Sequence, residues 1–355
     1  MKVYLVGGAV RDSLLGLPFH EKDWVVVGAT KEELIDKGYK KIGKDFPVFL
    51  HPKTKEEYAL ARKERKTGAG HKAFSFKFDK DVSLEEDLER RDITINAIAQ
   101  DEEGNFIDPF NGQKDIKDKI IRKVSSAFKE DPLRVLRVAR FAAKLKGLGF
   151  KIEEGTKSEI KDIVNSGELK TLSKERVWME THKALETDNP ETYFNVINEC
   201  GALNQICPLT TIDTNYLARA GKQEKDTAFR WACLVSPSPL VEEINNSFNA
   251  PKEFKEISVI CNQIIAFKKL DSINAENILE LADKTDIYRK EERFLKAEQA
   301  STFCVGNSKT ELNWGSLVQC INDIKASTDL KEGKLIAQKL KEDRLEAIQL
   351  YLSKS

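Results

Sequence analysis

Glu21 and Asp23 stand one residue apart, directly ahead of the apolar run Trp24–Val27. On an extended chain, residues two apart point the same way, so the two carboxylates would lie side by side. Such a pair repels unless a cation sits between, and hard oxygen ligands suit Mg²⁺. An ordinary acidic turn would carry the same residues. A second group, Gly7-Gly8-Ala9-Val10-Arg11-Asp12, follows the apolar run Val3–Val6 and opens a helix pattern. Glycines let the backbone approach a ligand closely, and first-turn N–H groups suit an anion. Arg11 adds a cation that stays charged. Gly8 and Arg11 are therefore candidate phosphate ligands, although a Gly-Gly turn after a strand is common in its own right.

The third group is Arg90-Arg91-Asp92-Ile93-Thr94-Ile95-Asn96-Ala97. Arg91 would suit a triphosphate, and Asp92 would accept from a ribose hydroxyl. A surface ion-pair cluster has the same composition. The fourth, Asp108-Pro109-Phe110-Asn111-Gly112 with Arg122 beyond it, reads as an ordinary turn. The fifth runs from Glu130 through Asp131, Arg134, Arg137 and Arg140 to Phe141. Steps of three rotate by about 300° on a helix, so neighbours share a slowly drifting face. In a lone helix that face would be solvated, opposite Val135 and Val138.

These groups need elements to hold them. Val3–Val6, Trp24–Val27, Val48–Leu50 and Tyr58–Ala61 read as strands, the last two paired about a Pro52-Lys53-Thr54 turn. Lys31–Lys37 and Leu84–Arg91 read as helices. Lys66–Ser83, poor in aliphatic residues and containing Thr67-Gly68-Ala69-Gly70, reads as a mobile loop. After Asp131 the pattern is helical throughout. Pro132 takes a first helical position. A helix starts at Asn189-Pro190 and stops at Gly201. Others cover Lys252–Phe267, Ala275–Leu281 and Leu312–Ile324, and a final pattern carries Leu335, Ile336, Leu340, Leu345, Ile348 and Leu352 at helical spacing.

The 355 residues are enough for more than one domain. Lys plus Arg and Asp plus Glu both number 58. A uniformly basic nucleic-acid binder would differ, so any RNA contact must come from local patches. All six cysteines lie beyond residue 199 with no C-x-x-C pair, which reads as reduced buried thiols. No long uncharged apolar run predicts a membrane span. No leader is expected at Met1, and the chain is placed in the cytosol.

In this order over one 140-residue stretch, the five groups resemble the class II tRNA nucleotidyltransferases, the CCA-adding enzymes and their poly(A) polymerase relatives. The likeness is strong over residues 1–150, continues through Glu175-Arg176-Val177-Trp178, and returns weakly near Gly333–Ala347. It implies an α+β fold: a nucleotidyltransferase head of mixed sheet and helices over 1–125, then a helical neck over 126–205 with a base-recognition helix. A helical body and tail over 206–355 would bind tRNA.

The implied reaction is template-independent addition of CCA to tRNA from CTP and ATP, releasing pyrophosphate and also repairing incomplete ends. Glu21 and Asp23 would hold Mg²⁺ and act as the catalytic carboxylates. Gly8, Arg11, Arg91, Asp92, Arg137 and Arg140 would bind the nucleotide, and Asp131 with Arg134 would read the base. A CC-adding, A-adding or poly(A)-adding enzyme is the neighbouring reading, and an inactive tRNA-binding module the distant one. The resemblance is broken in two places. The family usually has aspartate where Glu21 stands, and no histidine follows His182 to build the metal-dependent phosphohydrolase domain some relatives carry. No such side activity is expected.

Overall fold

The computed structural model describes residues 1–42, 48–66, 74–77, 80–207, 212–307, 312–325 and 333–354. The described chain forms two compact units, Met1–Ile206 and Cys207–Ser355.

The first unit is built on a seven-stranded mixed sheet. Its strands are β1 (Lys2–Val6), β2 (Asp23–Val27), β3 (Lys40–Ile42), β4 (Val48–Leu50) and β5 (Glu57–Leu60), joined further along the chain by β8 (Ala99–Gln100) and β9 (Phe106–Ile107). The order is β3-β4-β5-β2-β1-β8-β9, and only β2–β5 is parallel. Alternation along β2 sends Val25 to one apolar cluster, with Val6, Leu88 and Ala97, and Val26 to another, with Leu34, Phe49 and Leu60. Asp23 therefore points to the Val25 face. Its register partners are Val6 on β1 and Glu57 on β5. That register puts the Gly7-Gly8 turn beside the acidic strand start.

Short helices cover the sheet: α1 (Gly8–Leu14), α2 (Lys31–Asp36), α3 (Leu84–Glu89) and α4 (Gly112–Asp118). Capping boxes start α2 and α3, Thr30 with Glu33 and Ser83 with Glu86. β6 (Lys63–Lys66) leads into the stretch read as a loop and pairs antiparallel with β7 (Phe74–Lys77), which lies inside it. Residues 67–73 and 78–79 of that stretch lie outside the described residues. β10 (Ile120–Ile121) pairs in parallel with β11 (Lys151–Ile152).

The same unit continues into α5 (Leu133–Leu145), α6 (Glu154–Asn165), α7 (Lys174–Leu185), α8 (Glu191–Glu199) and α9 (Leu203–Ile206). Helix α5 is the hub. Val135, Leu136, Val138, Ala139 and Leu145 are fully buried, and the helix packs on α7 and α8. It starts one residue later than its sequence suggests. Pro132 caps it, and Asp131 is extended, two residues ahead.

The second unit is helical: α10 (Asn215–Gln223), α11 (Thr227–Val235), α12 (Val241–Ser247), α13 (Lys252–Lys268), α14 (Ala275–Thr285), α15 (Glu291–Val305), α16 (Trp314–Asn322) and α17 (Gly333–Lys354). Its core holds Trp231, Ile244, Ile264 and Phe294. The six cysteines are free thiols, four of them buried. Among the described residues, no helix is long and apolar enough to cross a membrane.

Candidate active site

Nine of the ten residues singled out in the sequence line one cavity of ≈ 520 Å³ in the first unit: Gly8, Arg11, Asp23, Arg91, Asp92, Asp131, Arg134, Arg137 and Arg140. Glu21, the tenth, lines two adjoining cavities that both include Asp23. Further lining residues carry no role in the sequence reading: Gly7, Arg90, Asn96, Leu133, Phe141 and Arg176 belong to or adjoin its motifs, and Arg62 and Lys183 lie outside them. Nine cationic side chains thus face three carboxylates. A strongly anionic ligand is what such a wall attracts.

The glycine turn enters this wall by necessity. Gly7 has φ +75°, a conformation L side chains rarely adopt. A Cβ there would come 3.0 Å from Arg91 Nη1 and 3.9 Å from Asp23 Oδ2. Helix α1 behind it has only seven residues, so guanidinium groups rather than a long helix dipole supply the positive charge.

A chain of hydrogen bonds links three of the sequence groups. Arg11 donates from Nη1 to Asn96 Oδ1 (2.7 Å) and from Nε to Asp12 Oδ1 (2.8 Å). Asn96 Nδ2 donates to Asp92 Oδ1 (3.0 Å), which also accepts from Ile93 N (2.9 Å). Asp92 Oδ2 takes Arg137 through Nε (2.7 Å) and Nη2 (2.6 Å). Arg137 also faces Glu180 on α7 at 3.6 Å, and Arg140 Nε donates to Glu180 Oε2 at 2.5 Å. Burial alone would raise the Asp92 carboxyl, but Arg137 and Asn96 outweigh it and hold the group well below the usual carboxylate range. Asp92 in turn keeps Arg137 firmly charged. Asp92 is 5% exposed and accepts three hydrogen bonds beside the second Arg137 contact, so a ribose hydroxyl has to compete with donors already in place.

Arg91 is held at 3.4 Å by Asp87, a buried carboxylate that also binds Arg90 at 2.9 Å. Desolvation would raise Asp87, and the two guanidiniums bring it below its ordinary value.

The pair expected to read a base is also anchored. Arg134 donates to the carbonyls of Ala127 and Arg90, each at 2.5 Å. At 6% exposure it is no part of a solvated face. Asp131 accepts from Leu133 N (3.0 Å) through Oδ1 and from Arg176 Nη2 (2.9 Å) through Oδ2. Because Asp131 precedes α5, the two side chains meet the cavity by chain geometry and not as helix neighbours.

Asp23 is raised above its ordinary value, first by desolvation and then by the charge of Glu21, against the opposing effects of Arg91, Arg137 and Lys183. A cation between the carboxylates would relieve that repulsion. Among the described residues, no group of three His, Cys, Asp or Glu side chains is placed to hold a metal. Two carboxylates completed by substrate phosphates is the arrangement Mg²⁺ commonly accepts, and the residues fit it.

The fourth group is structural, as its sequence suggested. Asp108 caps α4 by accepting from Gly112 N (2.7 Å) and Gln113 N (2.8 Å). A Cβ at Gly112 would collide with the Thr94 carbonyl. Asp115 binds Thr94 (2.7 Å) and Arg122 (3.0 Å). The group braces the turn that carries Asp92 and Asn96.

Comparison with known proteins agrees in extent. Residues 3–122 match the family model of the Poly A polymerase head domain, and residues 149–212 match the model described as probable RNA and SrmB-binding site of polymerase A. A CCA-adding enzyme of Pseudomonas putida is 46% identical over 301 residues, covering 83% of this chain and 81% of that protein. A Multifunctional CCA protein of Pseudomonas putida is 42% identical over 368 residues, covering 99% of both. The structure of the Bacillus stearothermophilus CCA-adding enzyme in complex with CTP has the same fold, with a TM-score of 0.70 and 23% identity over 98% of this chain and 88% of that one. With head, helical continuation and full-length relatives all in agreement, this chain belongs to the family of the CCA-adding enzymes.

Proposed function

We propose that this protein adds CCA to the 3′ end of tRNA without a template, using CTP and ATP, releasing pyrophosphate, and restoring incomplete ends in the cytosol. The carrying observation is the single cavity that joins Asp23, the arginine wall and the Asp131/Arg134 pair. Residues 1–125 act as the catalytic head, 126–205 as the neck, and 206–355 as the helical body and tail that hold tRNA by backbone and shape.

Glu21 and Asp23 would hold Mg²⁺, which when bound polarises the α-phosphate and favours the ionised 3′-hydroxyl. Gly8 leaves room for phosphate beside the backbone. Arg11, Arg91, Arg137 and Arg140 take up the triphosphate charge. Their carboxylate and amide partners hold them in place before the nucleotide arrives, so little reorganisation accompanies charge development on the leaving pyrophosphate. Asp92 orients Arg137 and accepts from the ribose 2′-hydroxyl by exchange with one of its present donors.

Cytosine and adenine both offer an exocyclic amino donor next to a ring-nitrogen acceptor. Uracil and guanine offer a carbonyl and a ring N–H there. Asp131 as acceptor and Arg134 as donor complement the first pair and oppose the second. The amino group of the base would replace Arg176 at Asp131.

The test is incubation of the purified protein with Mg²⁺ and tRNA lacking CCA. CTP alone should add two residues, and CTP with ATP should complete CCA and stop. Addition of C only, of A only, or of a long A tract would assign one of the sister activities. No addition under any condition would leave a binding module.

A further inference from the structure

Three guanidinium groups converge on one aromatic ring. Arg140 lies 4.1 Å from the Phe141 ring centroid, Arg11 5.3 Å and Arg137 5.7 Å. Arg137 and Arg140 share α5 with Phe141, whereas Arg11 arrives from α1. Each guanidinium also meets a carboxylate: Arg11 with Asp12, Arg137 with Asp92, Arg140 with Glu180. Phe141 is 4% exposed, and among the described residues Leu133 is the one other apolar side chain on the cavity wall.

Like charges gathered this closely repel one another before any anion arrives. Carboxylates at the rear answer part of that cost. The negative face of an aromatic ring answers another part, because it attracts a cation within about 6 Å of its centroid. An aliphatic side chain of similar bulk fills the space but lacks this field. The ring offers a phosphate nothing to bind, so its effect on a nucleotide must pass through the arginines.

We propose that Phe141 is the positioning residue of the triphosphate cradle, its ring holding Arg11 of the head together with Arg137 and Arg140 of the neck helix. The proposal rests on the reading of these arginines as triphosphate ligands. Acting through phosphates, Phe141 is indifferent to the base. Its loss weakens CTP and ATP by the same factor and leaves a nucleoside monophosphate nearly unaffected.

The test measures binding of CTP, ATP and CMP to the full chain by calorimetry, beside steady-state CCA addition. Phe141→Leu keeps apolar bulk and removes the ring. Its Kd for both triphosphates should rise about tenfold, the scale of a lost desolvated cation–ring contact. Its Kd for CMP should change less than about twofold, and KM should rise while kcat at saturating nucleotide stays within about threefold, as expected for uniform binding. Phe141→Tyr keeps the ring and should stay within about twofold of the wild type. If Phe141→Leu does not fold, as read by circular dichroism, Phe141→Met carries the same expectation. Unchanged CTP binding in the aliphatic variant overturns the proposal. So does a tyrosine variant as weak as the aliphatic one, which would mean packing alone, or a loss for CMP equal to that for CTP. A wild type that binds CTP but extends no tRNA would defeat the functional reading instead, and the binding comparison would still decide this one.

Discussion

Asp131 and Arg176 form an ion pair at 2.9 Å that ties the lead-in of α5 to the first turns of α7. The pair occupies the carboxylate oxygen on which base choice is proposed to depend. Removing Asp131 takes the acceptor from cytosine and adenine and the repulsion from uracil and guanine. Asp131→Ala should therefore lose about 1–3 kcal/mol for CTP and lower the ratio of CTP to UTP use on tRNA lacking CCA. Arg176→Ala should lower that ratio less, and the double variant should match Asp131→Ala. A large fall in rate at constant ratio would reduce Asp131 to a cap of α5.

Metal dependence follows from the Glu21/Asp23 pair. Asp23→Ala should abolish addition and spare tRNA binding, and sustained turnover would exclude the assignment. Glu21→Asp should retain activity. A binding readout separates metal from chemistry: Mg²⁺ without nucleotide should raise the Tm of the wild type and not that of Asp23→Asn. The fold raises the Asp23 carboxyl above its ordinary 3.8, so its ionised form costs stability at neutral pH. Metal-free Asp23→Asn should consequently melt no lower than the wild type at pH 7. A lower Tm would show that the carboxylate is structural.

Sugar selection is proposed to rest on Asp92. Asp92→Ala should narrow the preference for ribonucleotides over deoxyribonucleotides and also raise the nucleotide KM, because Arg137 loses its anchor. An unchanged ratio of the two specificity constants would place 2′-hydroxyl recognition elsewhere.

Asp92 also predicts acid behaviour. Its folded carboxyl lies below the unfolded value of 3.8. A depressed carboxylate stabilises the fold above its unfolded pKa, and that stability is lost as pH falls through the folded value. Asp92→Asn should melt lower than the wild type at pH 7, with a Tm that falls less on acidification below about 4. Parallel Tm curves would contradict the buried Asp92–Arg137 pair.

Glu180 supplies a fifth test. It is 6% exposed and receives both Arg137 and Arg140. Glu180→Gln should preserve the fold and raise the KM for CTP and ATP alike, since it loosens guanidiniums without touching the base. A selective effect on one nucleotide would point to a base contact instead.

Local sequence determined the elements and the parts of the cavity. A Gly-Gly turn after an apolar run, paired carboxylates before another, and arginines spaced by three on a helical pattern are short-range signals, and short-range physics reads them. The alternation of β2 and the capping boxes of α2 and α3 are of the same kind. Tertiary structure decided which partners those side chains keep. Asn96 lies 85 residues from Arg11, and Glu180 lies 40 from Arg140. No spacing rule connects such positions, because only the packing of α5 on α7 and the pairing of β1 with β8 bring them together. That packing made the arginine face of α5, which a lone helix would leave solvated, into the wall of a cavity. It also closed Asp92 and Asp131 on arginines that the sequence had left unassigned or assigned to the nucleotide alone. Opposite charges buried within reach of each other pair before any ligand arrives, and three dimensions alone decide which are within reach.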